Sequence, residues 1–437
     1  MSKTLCLPED LERRAVVVAG LRTPWIKAGR AFRSMSATDL ATHVVRELLA
    51  RHEVDPKDVD ELVLGCVGPT SRESNIARVV ALRAGLPASM PAVTVQRNCA
   101  SGFEAVDDAA RRIAAGEGTI YVVGGTESMS SYPLIYGTKM TAFFEALSRA
   151  KSKRAKAKVL ASFRPSMLAP RIALVEGLTD PVCGQIMGKT AETLAADWHI
   201  ERNEQDAFAL RSHKLAAAAR ARGDFAGEIC PIYLEKNAVA EDDGPRDDQS
   251  ADALGKLRPF FDRREGTVTV GNACPVTDGA AALLVMSEAE AQRRGLEVLG
   301  RMRASHVAGL SPERMGLGPA HAIPFAADAA GVTRDDLKVW EINEAFASQV
   351  LACSRALDSE QFCRDVLGRD GAFGAPEDSV LNPRGGAIAL GHPVGATGAR
   401  LVIGLLRQLH AAGGGVGVAS ACVGGGQGHA QIWEVAA

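Results

Sequence analysis

The chain of 437 residues repeats itself. DPKDVDELVLGCV (residues 55–67), an acidic turn leading into an apolar strand, is echoed by VTRDDLKVWEINEAF (332–346). NCASGF and the amphipathic stretch after it are echoed by GHPVGATG and RLVIGLLRQLHAA, and TIYVVGG by GGVGVASACVGGG. Leu62, Cys99 and Val123 thereby match Val339, His392 and Val418, at offsets of 277, 293 and 295. The jump in offset falls where the second copy carries a polar insertion, DSEQFCRDVLGRDGAFGAPED. A unit used twice restricts the fold to two similar halves packed on each other, with equivalent loops brought together by a pseudo-twofold axis.

Within each copy, short apolar runs alternate with helical spacing. RAVVVAG, ELVLGCV, PAVTV and TIYVVGG read as buried strands, and 36–50 and the residues after Cys99 as helices. Alternation of this kind predicts an α/β fold with both sheet faces covered. The expected division is a first half over 1–128, completed by 266–289, and a second half over 290–437. Residues 129–265 form an inserted, helix-rich loop domain. With 50 Lys+Arg against 52 Asp+Glu, the chain lacks the basic excess of a nucleic-acid binder. Nine cysteines, an odd number with no C-x-x-C pair, read as reduced thiols in a cytoplasmic chain. The N-terminus has acidic residues where a signal peptide needs an apolar core. The uncharged stretch 411–433 holds eight glycines, which suits tight turns better than a membrane span.

Three positions stand out chemically. Cys99 lies between a predicted strand and a helix N-terminus, where N–H groups and the helix dipole favour thiolate. Ser101 and Gly102 beside it are small enough to leave room for a substrate. His392 occupies the matching turn of the second copy, so the repeat brings a nucleophile and a base to one cleft. Cys422 precedes Gly424–Gly426, whose backbone N–H groups suit an oxyanion; a tight strand-to-strand turn explains the same glycines. Asn343 and Glu344 end a strand facing the crevice, or cap a helix. No metal-ligand spacing, dinucleotide fingerprint or P-loop occurs.

Taken in order, NCASG, GGTESMS, MGKTAE, GTVTVGNACPVTDGAAA, NEAFA, GHPVGATGAR and CVGGGQG resemble the signature blocks of thiolases. The resemblance spans nearly the whole chain. It implies a five-layered α-β-α-β-α fold of two duplicated halves, and oligomers built from a dimer: a homodimer or a dimer of dimers. It implies acyl-CoA substrates, coenzyme A as co-substrate and no tightly bound cofactor or metal. By motif, Cys99 resembles the acyl-accepting nucleophile, His392 its base, and Cys422 the acid/base serving the acetyl-CoA enolate and incoming CoA. Asn343 resembles the residue that holds a water which, with His392, forms one oxyanion hole; the N–H groups of Cys99 and Gly424 resemble the other. Met187, Cys274 and Phe346 resemble the lining of the pantetheine and acyl channel.

The implied activity is that of a 3-ketoacyl-CoA thiolase in fatty-acid β-oxidation. The alternative is the same site run as an acetyl-CoA C-acetyltransferase, condensing two acetyl units into acetoacetyl-CoA. Ile186 and Cys274 stand where acetoacetyl-CoA-type thiolases typically have His and often Ser, which weakens a purely short-chain reading. Residues 139–171 carry nine Lys/Arg and one acid, Glu145, with apolar residues on either side. That composition fits a solvated helix face, or a segment docking on a membrane surface. An insertion here is similar to that of thiolases in trifunctional fatty-oxidation complexes, which implies a hydratase/dehydrogenase partner subunit.

Overall fold

The structure, a computed structural model, describes residues 3–52, 54–235 and 237–437. Nine strands make the backbone of one mixed sheet: β1 (Ala15–Arg22), β2 (Glu61–Gly65), β3 (Ala92–Val95), β4 (Ile120–Ser128), β5 (Thr277–Ser287), β6 (Gly300–Gly309), β7 (Leu337–Ile342), β8 (Gly415–Val423) and β9 (Gln427–Val435). Their order is β7-β8-β9-β6-β1-β5-β4-β2-β3. From β2 through β4 and β5 to β1, pairing runs parallel, antiparallel, antiparallel; β7 through β8 and β9 to β6 does the same. The sequence repeat is kept to the residue, since Val63 faces Val123 in one half and Trp340 faces Val418 in the other. Between β6 and β1 the pairs Gly300–Val17 and Arg301–Val16 join the halves, and the N-terminal strand Lys3–Cys6 also pairs with β6.

Alternate residues of each strand feed different cores, as a period of two requires. Val63, Val123 and Leu283 point to a central helical layer, while Leu62, Leu64, Val122 and Leu284 point to an outer one. The outer layer of the first half includes α1 (Ala37–Arg51), started by a capping box between Ser36 and Asp39. Its counterpart on the second half is α5 (Gly318–Ala330), packed with Ile342, Val418 and Ile432. The central layer is α2 (Ser101–Ala115) beside α6 (Thr397–Ala411), one helix from each copy. Outer helices, the first half's part of the sheet, the paired helices, the second half's part of the sheet and outer helices make the five layers.

The two central helices touch through glycine. A Cβ on Gly102 would lie 2.6 Å from the Ala399 backbone N, and one on Gly398 would lie 2.4 Å from that of Phe103. Gly102 therefore admits the other helix rather than leaving room for a substrate, which corrects the expectation for that position. The contact falls three residues after Cys99 and six after His392, so it holds the two turns against one another. Gly398→Ala should lower the urea midpoint. A helical Ala gains about 1 kcal/mol over Gly, but overpacking against immovable backbone costs about 3 kcal/mol. An unchanged midpoint would contradict this contact.

Between β4 and β5 the chain leaves the sheet. A short ladder, Leu134–Tyr136 against Pro170–Ile172, closes off an excursion containing helices Thr138–Arg149 and Lys153–Ala161. Then come α3 (Met187–Asp197) and α4 (Arg202–Arg222). The return is tied to β1 by the buried Arg22, which donates to Glu228 at 2.7 Å and to both oxygens of Asp242 at 2.7 and 2.8 Å. Burial would raise the Glu228 carboxyl, but Arg384 and Arg22 win and hold it at about 2. Among the described residues, no helix is long and apolar enough to cross a membrane.

Candidate active site

The Cys99 turn is built by its neighbours. Asn98 takes a left-handed conformation (φ 42°), which Asn tolerates better than most residues. The Ser101 hydroxyl donates to the Asn98 carbonyl at 2.7 Å and accepts from the Arg97 N–H at 2.9 Å. Asn98 Nδ2 also donates to the Gly424 carbonyl at 2.7 Å, fastening this turn to the end of β8. The Gly424 N–H favours the thiolate form of the Cys99 sulfur. Gly424–Gly426 form the tight turn between β8 and β9, with φ of 91° and 80° at Gly425 and Gly426. The two readings of these glycines therefore coexist, a strand-to-strand turn that also presents an N–H to a sulfur.

His392 is buried in the turn before α6. Its backbone N–H donates to Thr277 Oγ1 at 3.2 Å. Its Nδ1 lies 2.6 Å from Thr397 Oγ1, and that hydroxyl donates to the Pro393 carbonyl at 2.9 Å. With its one proton committed, Thr397 must accept from Nδ1–H, which leaves Nε2 as the unprotonated nitrogen. Asn343 Nδ2 stands 3.4 Å from that Nε2. Asn343 Oδ1 is buried without a hydrogen-bond partner among the described residues, so the amide has acceptor capacity to offer a ligand.

Cys422, the penultimate residue of β8, is buried in an apolar cluster with Phe346, Met315, Ala273 and Val268, against which Met187 and Phe261 pack. Met187 starts α3, and its sulfur would lie 3.2 Å from a Cβ built on Gly424. Cys274 is held beside this cluster by its N–H to the Ala345 carbonyl at 3.0 Å. A cavity of about 790 Å³ opens next to Met187, lined by Ile186, Lys189, Thr193, Phe261 and Asp262. Phe261 packs edge-on against Phe346 at 6.0 Å. Glu344 turns away from the cavity: it is fully buried and accepts from Ser212, Asn382 and the Ile388 N–H.

The electrostatics correct one expectation. Burial pushes the Cys99 thiol above its ordinary value of 9.0, and the Gly424 N–H only partly offsets this. Burial outweighs the Gly424 and Cys99 N–H groups, and the nearby Glu127 adds to it, so Cys99 rests as a thiol rather than a thiolate. Burial also raises Cys422, with the nearby thiols of Cys99, Cys353 and Cys274 adding to it. Cys274 is pushed up to about 12 by burial and by Cys99. Burial drives His392 down to about 4, so its imidazole is neutral at pH 7 and free to take a proton.

Sequence reasoning missed Asn98, Thr277 and Thr397, ordinary polar residues whose partners lie in turns the motifs do not join. It also missed a gathering behind α2, where Glu104, Asp107 and His429 bring ligand atoms within 4.8 Å of one another. His429 is more than 300 positions from the two acids, beyond any spacing rule. Asp107 is committed there to Ser305, Gln431, Arg111 and His429.

A thiol, a neutral imidazole with a free nitrogen and a backbone N–H beside the sulfur are groups that cysteine-based acyl transfer uses, carried here on a duplicated α/β scaffold. Residues 15–289 match the family model "Thiolase, N-terminal domain" and residues 296–435 match "Thiolase, C-terminal domain", and the chain belongs to the thiolase family of acyltransferases. It is 39% identical over 438 residues to a 3-ketoacyl-CoA thiolase of Yersinia enterocolitica, covering 100% of both chains. It is 40% identical to one of Vibrio cholerae, covering 97% of both. Human mitochondrial 3-ketoacyl-CoA thiolase, solved in complex with CoA, superposes with a TM-score of 0.84 at 34% identity, covering 98% of this chain and 99% of that one. Bacillus anthracis acetyl-CoA acetyltransferase gives 0.84 at 36%, covering 97% and 99%.

Proposed function

We propose that this chain is a 3-ketoacyl-CoA thiolase, cleaving 3-ketoacyl-CoA with CoA into acetyl-CoA and a shortened acyl-CoA in fatty-acid β-oxidation. The observation that carries the residue assignment is the fastening of the Cys99 turn to the end of β8, where Asn98 Nδ2 donates at 2.7 Å to the carbonyl of Gly424, two residues after Cys422. His392 Nε2 takes the Cys99 proton, and the sulfur attacks the 3-keto carbon. The bond between C2 and C3 breaks, leaving an acyl group on Cys99 and the enolate of acetyl-CoA, which Cys422 protonates. The resulting Cys422 thiolate takes the proton of incoming CoA, whose sulfur then attacks the acyl carbon and frees Cys99. The N–H groups of Cys99 and Gly424 stabilise the acyl oxygen, and Asn343 with His392 the enolate oxygen. Each such donor is worth about 3–4 kcal/mol of barrier.

The CoA thioester enters through the cavity beside Met187, with Met187, Cys274 and Phe346 along the channel and residues 129–265 supplying the binding domain. The family relationship also suggests a homodimer or a dimer of dimers. Ile186 and Cys274 favour the degradative reading over acetoacetyl-CoA synthesis. Rates of thiolysis across 3-ketoacyl-CoA lengths test this: activity is expected beyond four carbons, and activity confined to the four-carbon substrate would overturn it.

The basic excursion supports a second, separable role in docking. Beside its nine cations it exposes Leu134 (67%), Tyr136, Phe144, Leu160 (56%), Leu168 and Ile172, while the buried Phe143 packs edge-on against both Phe144 and Phe163. A cationic surface studded with exposed apolar side chains suits an anionic membrane interface or a hydratase/dehydrogenase partner. Deleting residues 139–171 should abolish sedimentation with anionic vesicles or partner capture while sparing turnover. Unchanged binding would remove this role.

A further inference from the structure

We infer that Glu127 is a positioning residue, a buried carboxyl group that clamps the His392 turn onto the half of the molecule carrying Cys99. Glu127 sits in β4 and is fully buried. Its Oε2 accepts the Val67 N–H at 3.0 Å and the Gly395 N–H at 3.1 Å. Its Oε1 accepts the Gly68 N–H at 3.0 Å and the Tyr132 hydroxyl at 3.1 Å. Val67 and Gly68 follow β2 in the first half, whereas Gly395 lies in the second, three residues after His392.

Burial pushes the carboxyl above its ordinary value, and the donors from Val67, Gly68, Tyr132 and Gly395 partly offset this. The Cys66 thiol also lies 3.8 Å from Oε1. Each oxygen accepts at least one backbone N–H, which leaves no place for an amide NH₂, so the site does not fit the isostere. Backbone packing closes the same joint. A Cβ on Gly125 would lie 1.9 Å from the Gly395 carbonyl oxygen, and one on Gly395 would lie 2.5 Å from that of Thr126 and 2.9 Å from Glu127 Oε2. Across the boundary between the copies, then, the GGTE and GHPVG segments fit together as two faces with one carboxylate as the latch. Among the described residues Glu127 has no hydrogen bond to Cys99 or His392; it acts by fixing where the His392 turn stands.

This inference rests on the proposed roles of Cys99 and His392. The test is Glu127→Gln, read as thiolysis kcat, KM for the 3-ketoacyl-CoA substrate, melting temperature and amide exchange of the peptide spanning 391–396. The expected result is a kcat lower by about 100-fold, the scale of a 1 Å misplacement, at unchanged KM, with faster exchange in that peptide and not in α6. A folded Glu127→Gln with wild-type kcat would overturn it. So would a loss shared equally by kcat and KM, or one accompanied by exchange raised throughout the protein. If that variant does not fold, Tyr132→Phe is read instead. Loss of that one donor should lower kcat about fivefold at unchanged KM, and an unchanged kcat would overturn the inference. Near-normal turnover by Cys99→Ala would instead sink the underlying site assignment, so the two failures are distinguishable.

Discussion

Cys99→Ala should lower thiolysis by about 10⁴-fold or more, the scale on which removal of a covalent nucleophile is felt. The rest of the centre would survive, because Ala at this partly exposed position leaves the Asn98–Gly424 and Arg97–Ser101 bonds in place. Binding of CoA esters should therefore change little, separating loss of chemistry from loss of fold. The resting state sharpens the expectation. With the Cys99 thiol raised by burial and the His392 imidazole neutral, proton transfer between them is part of the reaction rather than complete beforehand. Iodoacetamide should label Cys99 ahead of the buried thiols, and faster as pH rises past 9.0. Near-normal turnover by Cys99→Ala, measured by acetyl-CoA release, would refute the assignment.

Cys422→Ser should slow carbon–carbon cleavage and condensation by about 10²–10⁴-fold, the range of a positioned acid/base. Acylation of Cys99 by a simple acyl-CoA should fall far less. A serine hydroxyl keeps the volume but is a much weaker acid than a thiol, even one raised by burial. Because Cys422 lies against Met315, Phe346 and Val268, the substitution also leaves a polar group in an apolar cluster. Stability must therefore be measured alongside. Equal slowing of both half-reactions in a folded variant would count against the proposed role.

Much of the scaffold could be read in advance because the repeat is also the sheet register. Matching Leu62 with Val339 and Val123 with Val418 amounts to pairing β2 with β4 and β7 with β8. Cys99 and His392 stood out for the same reason, as equivalent turns before equivalent helices. What the sequence could not reveal is energetic balance and tertiary partnership. The helix N-terminus argued for a thiolate at Cys99, yet desolvation is the larger influence and only coordinates reveal it. Gly102 looked like space for substrate, and its purpose depends on Gly398, nearly three hundred positions away. Thr397 sets the His392 tautomer through one hydroxyl that no periodicity marks. The cationic run at 139–171 was plain, but not the ladder that closes it off from the sheet.

The most direct test is mass spectrometry of enzyme quenched in acid during turnover of a 3-ketoacyl-CoA, with CoA limiting. The account predicts an acyl group, two carbons shorter than the substrate chain, on the peptide containing Cys99. An adduct on Cys274 or Cys422 instead, or turnover with no acylated cysteine at any time, would contradict it.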